Sequence, residues 1–334
     1  MTGRVVVVVP ALNEAHGIER VLRELLAGLP DDRDAQVVVA DGGSTDGTRA
    51  QVLAMAANDR RLRLVHNPRK LQSAAMNLVA RGAGPAQWLI RADAHAAYPP
   101  RFVADLVATL ERTGADAVVV PMDSQGASLI GRAIAWVSDT PLGSGGSAHR
   151  GGARAGWIDH GHHAGWRLGS YLAAGGYDES FTHNEDAEFD CRLTRLGGRI
   201  WIDPAIRLTY FVRPTLRALW RQYCNYGRGR SRTVRRHPSS LRLRQFLVPC
   251  GVSAIVMATL GAPFMPVLWL VPAAYVAVLA VTSLGLALRH RSACGLLGGV
   301  AALVMHFAWG FGFVSGLVAL RERRWQPVEG KTLA

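Results

Sequence analysis

The sequence predicts an α/β fold, with a mostly parallel sheet flanked by helices, followed by C-terminal transmembrane helices. Between residues 4 and 203, short β-branched runs alternate with segments whose apolar residues recur at helical spacing. This alternation, with short links, is typical of a parallel α/β sheet. Residues 246–320 contain no Asp or Glu and are mainly apolar, which indicates helices in a membrane.

The predicted strands and helices of the α/β part follow one another in order. Residues 4–9 are almost entirely valine, typical of a strand buried on both faces, and a helical pattern follows over 18–26. Further strands are predicted at 36–40, 62–65, 87–91 and 199–203, and further helices at 45–58, 73–81 and 186–196. Residues 125–176 are rich in glycine and histidine with weak periodicity, so we expect a loop there, either flexible or contacting a substrate.

Three apolar stretches follow the α/β part, at 246–262, 264–288 and 295–320. The last two reach the roughly 20 residues that a bilayer span needs, whereas Pro263 and Pro266 interrupt the chain after the shorter first stretch. We therefore predict two to three hydrophobic helices.

A basic segment precedes these stretches. Residues 213–244 carry ten arginines and no acidic residue, which indicates contact with anionic headgroups on the cytoplasmic side. The initial valine run is too short for a signal peptide, so we expect a multi-pass protein of the cell inner (plasma) membrane with a cytoplasmic N-terminal domain. The predicted regions are a cytoplasmic domain at 1–212, a basic juxtamembrane segment at 213–245, a membrane region at 246–320 and a tail at 321–334.

The net charge of +13 fits nucleic acid, anionic lipid or phosphorylated substrates as partners. The position of the arginines favours lipid, and no nucleic-acid recognition motif appears, so we predict no nucleic-acid partner. The cysteines have neither metal-type nor redox-type spacing, and we expect them to be reduced and structural; they are Cys191, Cys224, Cys250 and Cys294.

Polar clusters follow three of the predicted strands. Asn13 and Glu14 come after the first strand, Asp41 to Asp46 after the second, and Asp93 to His95 after the fourth. Ligands of open α/β sheets bind beyond the carboxyl ends of the strands. Three polar clusters on one edge of the sheet therefore predict a binding site.

Each cluster has a chemical and a structural interpretation. Asp41 can accept a hydrogen bond from a nucleotide base, or the Asp-Gly-Gly sequence can be a turn before a capped helix. Asp93 and His95 offer an oxygen and a nitrogen ligand; magnesium prefers oxygen, and manganese accepts imidazole more readily. Glu185 and Asp186 begin a predicted helix, where carboxylates are often only dipole partners. Residues 159–163 contain three histidines, which could bind a metal or form a loop around a substrate phosphate.

With these motifs assembled, the chain resembles the inverting glycosyltransferases of family 2, over about residues 4–235. The matching pieces, in order, are Val8-Val9-Pro10-Ala11-Leu12-Asn13-Glu14, Asp41-Gly42-Gly43-Ser44-Thr45-Asp46-Gly47-Thr48, Asp93-Ala94-His95 and Asn184-Glu185-Asp186. The resemblance implies the GT-A fold, which binds nucleotide-diphospho-sugars. It also implies a divalent cation, Mn²⁺ or Mg²⁺, as cofactor.

A closer likeness is to the succinoglycan-type (ExoA-like) glucosyltransferases of bacterial exopolysaccharide assembly. It is carried by Gly145-Gly146-Ser147-Ala148-His149-Arg150, Asp159-His160-Gly161-His162-His163, Arg221-Gln222-Tyr223, Tyr226-Gly227-Arg228-Gly229-Arg230 and Met305-His306-Phe307-Ala308-Trp309-Gly310. This likeness implies a UDP-sugar donor such as UDP-glucose, and a lipid-linked (polyprenyl diphosphate) saccharide as acceptor.

The resemblance also assigns roles to residues. Asp186 stands at the family's catalytic base with Glu185 beside it, and Asp93 and His95 stand at its metal motif, where His95 replaces a second Asp. The implied donor-binding residues are Pro10, Ala11, Asn13, Glu14, Asp41, Lys70 and Asp93. The implied acceptor or phosphate residues are His162, His163, Gln222, Arg228 and Arg230.

Other functions fit these residues less well than transfer of a single sugar. Gln222 begins a motif of processive synthases, but Asn225 and Tyr226 replace its Arg-Trp, so we expect addition of a single sugar. A nucleotidyltransferase leaves residues 184–186 and the membrane region unexplained, and a non-catalytic sugar-nucleotide scaffold has no need for both Asp93 and Asp186. A dinucleotide-dependent oxidoreductase is excluded because no G-x-G-x-x-G follows the first strand.

Overall fold

A computed structural model describes residues 3–146, 154–319 and 321–326. The chain forms two compact units. The first unit contains the described residues of 1–123, 151–210 and 326–334, and the second contains those of 124–150 and 211–325.

The strands form one large and one small sheet. In chain order they are β1 (Arg4–Ala11), β2 (Ala35–Asp41), β3 (Leu62–His66), β4 (Ala86–Arg91), β5 (Ala96–Ala97), β6 (Ala117–Val119), β7 (Met122–Gln125), β8 (Gly156–Ile158), β9 (His163–Arg167), β10 (Ile200–Ile202) and β11 (Leu208–Phe211). The large sheet has the order β3-β2-β1-β4-β9-β6-β10-β8, and the small one β5-β11-β7.

The helices are described in the same way. They are α1 (Ile18–Ala27), α2 (Thr48–Ala56), α3 (Gln72–Gly82), α4 (Phe102–Thr113), α5 (Leu129–Ser138), α6 (Pro141–Ser144), α7 (Leu168–Ala173), α8 (Glu185–Arg195), α9 (Leu216–Arg236), α10 (Leu243–Gly261), α11 (Leu270–Arg289) and α12 (Gly298–Ala319). The predicted alternation of strands and helices is confirmed up to β4, and α8 and β10 match the later predictions at 186–196 and 199–203; α2 begins three residues later and ends two residues earlier than predicted.

The core of the first unit forms around β1, whose Val5–Val9 run is buried on both faces. β1 pairs in parallel with β2 on one side and β4 on the other. Helix α1 buries one apolar face in the same core cluster, through Ile18, Val21, Leu22, Leu25 and Leu26. Burying a side chain of this size stabilises the fold by about 1.5–3 kcal/mol. The continuous valine run and the helical spacing therefore predicted these two elements correctly.

The segment 125–176 is not a loop throughout, which corrects the prediction. It contains the capped helix α5, the strands β8 and β9, and helix α7. β9 runs antiparallel between β4 and β6, so the large sheet is mixed. A Cβ on Gly165 of β9 would lie 2.7 Å from Ile90 Cδ1, so this strand needs a glycine where it meets β4. The glycine and the absence of β-branched residues hid the strand from its sequence pattern.

The second unit is helical. Its core cluster joins side chains of α5, α9, α11 and α12, among them Ile134, Leu219, Leu279 and Met305. The basic segment forms α9, and its backbone contacts α12 closely: a Cβ on Gly227 would lie 2.2 Å from Trp309 O, and one on Gly312 would lie 2.0 Å from Cys224 O. Small residues at both positions allow this approach.

Two apolar segments of the described chain are long enough to cross a bilayer. They are Pro266–Arg289 and Ala293–Ala319, with mean hydropathies of 2.1 and 1.7. The apolar helix Gln245–Gly261 is shorter than these. Length and composition thus select two candidate spans, which is the lower number of the two to three hydrophobic helices predicted from the sequence.

Candidate active site

The turns after β1 and β2 are joined by hydrogen bonds. The backbone N–H of Asn13 donates to Ser44 Oγ at 2.9 Å, and that of Thr45 donates to Asn13 Oδ1 at 2.9 Å. The N–H of Glu14 donates to Thr48 Oγ1 at 2.9 Å. Asn13 has a φ of 58°, a left-handed conformation that asparagine tolerates better than most residues. The polar clusters after β1 and β2 are therefore held together by direct hydrogen bonds.

Asp41 is fully buried at the end of β2 and holds the second turn together. Its Oδ2 accepts hydrogen bonds from Gly43 N–H and from the Arg49 guanidinium, both at 2.9 Å, and Ser44 N–H donates at 3.2 Å. Burial acts to raise the pKa of Asp41, but the hydrogen bonds from Ser44, Arg49 and Gly43 outweigh it and lower the pKa. The Asp-Gly-Gly sequence therefore forms the turn of the structural interpretation, but the N-cap residue of α2 is Gly47 and not Ser44 or Asp46; contact of Asp41 with a nucleotide base stays a prediction.

The other predicted donor-binding residues of this edge lie beside the same turn. The N–H of Gly42 donates to Ala11 O at 2.9 Å, which places the end of β1, with Pro10 and Ala11, next to it. A Cβ on Gly42 would lie 3.3 Å from Lys70 Cα, and Lys70 has a φ of 57°. The structure thus brings Lys70 to the Asp41 turn from the loop after β3.

Asp93, after β4, lies in a second group of charges centred on Arg91. Arg91 Nε donates to Asp93 Oδ1 at 3.0 Å, and Gln72 Nε2 donates to the same oxygen at 3.2 Å. His162 Nε2 lies 3.7 Å from Asp93 Oδ2. Burial acts to raise the pKa of Asp93, but the charges of Arg91, His162 and His95 hold it well below its usual range. Asp93 is therefore a carboxylate at neutral pH.

Glu185 and Asp186 reach the same group from the first turn of α8. Arg91 NH1 lies 3.6 Å from Glu185 Oε1. Burial, together with the negative charge of Asp186, raises the pKa of Glu185 to about 7, against the opposing effect of Arg91. Asp186 is half-buried, and its Oδ1 accepts a hydrogen bond from Ala187 N–H at 2.7 Å. The structure thus gathers Asp93 and Glu185 around one buried arginine, with Asp186 as the next residue of α8.

Three members of this group were not predicted: Arg91, Gln72 and Tyr177. Arg91 is 6% exposed, and its NH1 donates to Tyr177 Oη at 3.4 Å. One signal was available, because an arginine within an apolar strand needs buried partners of opposite charge. Gln72 and Tyr177 carry no such signal.

The predicted metal ligand His95 lies next to Glu14. Its Nδ1 is 3.2 Å from Glu14 Oε1, and its side chain is 43% exposed. Among the described residues, no group of three or more His, Cys, Asp and Glu is placed to hold a metal ion. Mg²⁺ and similar ions are often held by one or two carboxylates together with substrate phosphates. The ionised Asp93 and the imidazole of His95 fit such a partial ligand set for Mn²⁺.

The predicted acceptor or phosphate residues fall into different parts of the molecule. His162 is in the first unit beside Asp93, and the His163 side chain lies outside the described residues, as do residues 147–150 of the glycine-rich motif. Gln222, Arg228 and Arg230 are on α9 in the second unit. Gln222 donates to Tyr226 Oη at 2.9 Å, Arg230 donates to Ser240 O at 2.7 Å, and Arg228 is exposed.

One further histidine contact accompanies α8. His160 Nδ1 lies 2.6 Å from Oδ2 of Asp190, whose side chain is 1% exposed. Asp190 is four residues after Asp186, so the two carboxylates lie on the same face of α8. The loop histidine is thus held by the helix that carries the predicted catalytic base.

The sequence of the chain is similar to those of known glycosyltransferases and of a known biosynthesis protein. The family profile described as glycosyl transferase family 2 matches residues 6–142. The chain is 44% identical over 325 residues to succinoglycan biosynthesis protein ExoA of Rhizobium meliloti (strain 1021), covering 95% of this chain and 96% of that protein.

Solved structures are similar in fold. The mannosyltransferase PcManGT from Pyrobaculum calidifontis, in complex with GDP-Man and Mn²⁺, has a TM-score of 0.58 at 20% identity, covering 92% of this chain and 88% of its own. GalNAc-T7 with UDP, GalNAc and Mn²⁺ has a TM-score of 0.51 at 18% identity, covering 71% of this chain and 51% of its own.

Proposed function

The chain belongs to glycosyl transferase family 2 and has the GT-A fold, and from this premise we propose its reaction. It transfers a sugar, glucose in the first instance, from a UDP-sugar to a lipid-linked (polyprenyl diphosphate) saccharide in exopolysaccharide assembly. Its relative of 44% identity is named for succinoglycan biosynthesis, which supports this choice of pathway class. The transfer adds one sugar and inverts the anomeric centre.

The observation that carries the proposal is the charge group around Arg91. A sugar transfer needs a base for the acceptor hydroxyl and positive charge for the departing diphosphate. Asp186 takes the hydroxyl proton while the oxygen attacks the anomeric carbon, and the bond from that carbon to the diphosphate breaks to release UDP. Glu185, with a pKa of about 7, keeps a proton part of the time and so limits the negative charge beside Asp186.

The polar residues of the turns after β1 and β2, together with Lys70, bind the donor in this proposal. Asp41 and Lys70 flank one turn, and Asn13 and Glu14 flank the turn joined to it. A divalent cation, held by Asp93 and His95, supplies positive charge against the diphosphate. His162, beside Asp93, contacts the acceptor or the phosphate in this proposal, and the phosphate or acceptor roles implied for His163, Arg228 and Arg230 stay predictions.

A lipid-linked acceptor places the reaction at a membrane. The two candidate spans and the arginine-rich α9 support an anchor in the inner membrane, with the catalytic unit in the cytoplasm. The number of spans and their direction are part of this proposal.

The test is transfer by the detergent-purified full chain, with a panel of nucleotide sugars, a bacterial lipid extract as acceptor, and Mn²⁺, Mg²⁺ or EDTA. The expected result is UDP release and labelled lipid product with one donor, lost on adding EDTA and restored by Mn²⁺. Asp105→Asn, a change to a carboxylate on α4, is the matched control for Asp186→Asn.

Other outcomes identify other functions. Pyrophosphate release in place of UDP identifies a nucleotidyltransferase. Donor binding without turnover under every condition identifies a scaffold. A long polymer made by the purified protein alone contradicts addition of a single sugar.

A further inference from the structure

An arginine-lined cavity lies in the second unit where the chain leaves α12. Its volume is about 750 Å³, and it is lined by Arg235, Arg236, Leu317, Val318, Arg321, Glu322 and Arg323. Four arginines and one glutamate leave an excess of three positive charges in the lining. None of these residues has a role in the proposed reaction. We propose that this cavity binds the phosphate headgroup of an anionic phospholipid.

A buried acid builds the cavity and fixes its shape. Glu322 is 6% exposed, and its carboxylate accepts hydrogen bonds from Arg232 at 2.6 Å and from Arg236 at 2.9 Å. The N–H of Trp325 donates to Arg236 O at 3.1 Å. The segment after α12 is therefore held against the end of α9, and this contact places Arg321 and Arg323 on either side of Glu322.

Arg235 joins the two helices at the same place. Its NH2 donates to Gly316 O at 2.9 Å in the last turn of α12, where backbone carbonyls lack partners within the helix. Its side chain therefore stays at the end of the candidate span, while Arg321 and Arg323 are exposed. Guanidinium groups bind phosphate oxygens with two parallel hydrogen bonds, so several of them around one cavity suit a phosphate ester.

The apolar part of the lining distinguishes a lipid from a free phosphate. Leu317 and Val318 are 41% and 84% exposed, and they end the candidate span Ala293–Ala319. An apolar surface beside arginines matches the boundary between acyl chains and headgroups, where arginine side chains extend towards the headgroups. This inference rests on the proposed membrane location and is independent of the sugar transferred.

Lipid binding to the purified full chain tests the inference. Native mass spectrometry in a neutral detergent measures retained phosphatidylglycerol, with phosphatidylcholine and inorganic phosphate in separate titrations. We expect phosphatidylglycerol to bind in preference to both. Arg321→Gln/Arg323→Gln is expected to weaken it about thirtyfold, because each of the two arginines contributes on the order of 1 kcal/mol at a membrane surface and about 1.4 kcal/mol corresponds to a factor of ten.

The matched control is Arg60→Gln/Arg63→Gln, which removes the same charge from exposed residues outside the cavity and outside the basic segment 213–245, and should leave binding unchanged. If the double variant is not monodisperse, the single variants Arg321→Gln and Arg323→Gln carry the test. Equal losses in variant and control, equal binding of the two lipids, or binding of inorganic phosphate as tight as that of lipid would each overturn the inference. UDP release by the variant in detergent separates loss of this site from failure of the proposed reaction.

Discussion

Two sets of predicted site carboxylates in the first unit differ in their partners: Asp41 ends β2, whereas Asp93 follows β4 and Glu185 begins α8. Asp41 accepts its hydrogen bonds from the N–H groups of its own turn and from Arg49, which is 44% exposed. Asp93 and Glu185 instead share Arg91, which is 6% exposed and lies on the strand itself. The first arrangement stabilises a turn, whereas the second holds several charges together away from water.

The difference shows how to separate a structural acid from a candidate catalytic one. A carboxylate that accepts hydrogen bonds from the N–H groups of its own turn fixes the conformation of that turn. Carboxylates that share one arginine have linked pKa values, and burial together with the charge of Asp186 raises the pKa of Glu185 to about 7. Four substitutions, in order of decreasing expected effect, test this difference between the two sets of carboxylates.

Asp186→Asn should have the largest effect. Loss of a catalytic base commonly lowers the rate by about 10²–10⁴-fold, so transfer should nearly stop. Donor affinity, measured by calorimetric titration with UDP, should stay within about twofold because the proposed mechanism has Asp186 act on the acceptor. Asp105→Asn should retain full activity. A fully active Asp186→Asn protein would remove Asp186 from the mechanism.

Arg91→Gln should destabilise the first unit by about 3–5 kcal/mol, because it leaves the buried charge of Asp93 without its main partner. In thermal unfolding followed by intrinsic fluorescence, the expected drop in Tm is on the order of 10 °C. A drop no larger than that of an exposed arginine variant would mean that the group is solvated, contrary to its burial.

Glu185→Gln should become relatively more stable as the pH rises. The pKa of Glu185 is raised from 4.5 to about 7 on folding, so its stabilising contribution is complete below pH 4.5 and is lost as the pH rises through 7. The glutamine variant does not titrate. The Tm of the variant minus that of the parent should therefore increase between pH 5 and pH 8, by the equivalent of about 1–3 kcal/mol. A constant difference across this range contradicts the raised pKa.

Arg49→Gln should have the smallest effect. Arg49 is 44% exposed, so its ion pair with the buried Asp41 is partly screened by water and contributes about 1 kcal/mol, and Asp41 keeps its backbone hydrogen bonds in this variant. The expected change in Tm is at most a few degrees, measured beside Arg91→Gln under the same conditions. If Arg49→Gln lowers the Tm as much as Arg91→Gln does, the arginine of the Asp41 turn and the arginine of the buried group contribute equally to stability, and the proposed difference between them is wrong.

Much of the architecture was predictable because each element carries its own pattern. The valine run of β1 and the apolar face of α1 are local properties, and so are the polar residues that end each strand and the composition of the two candidate spans. These patterns, with the motifs from Pro10 to Asp186, were enough to indicate the fold and the family.

The tertiary structure alone decided which of these residues meet. Gly165 pairs with Ile90 in the sheet, at a position where Ile90 leaves no room for a larger residue. Arg91 and Glu185 are 94 positions apart in sequence, and Glu14 and His95 are 81 apart, yet each pair lies within 4 Å. Local periodicity reports only which face of an element is buried. Charge pairing depends on the order in which strands join the sheet, and that order is set by contacts distant in sequence.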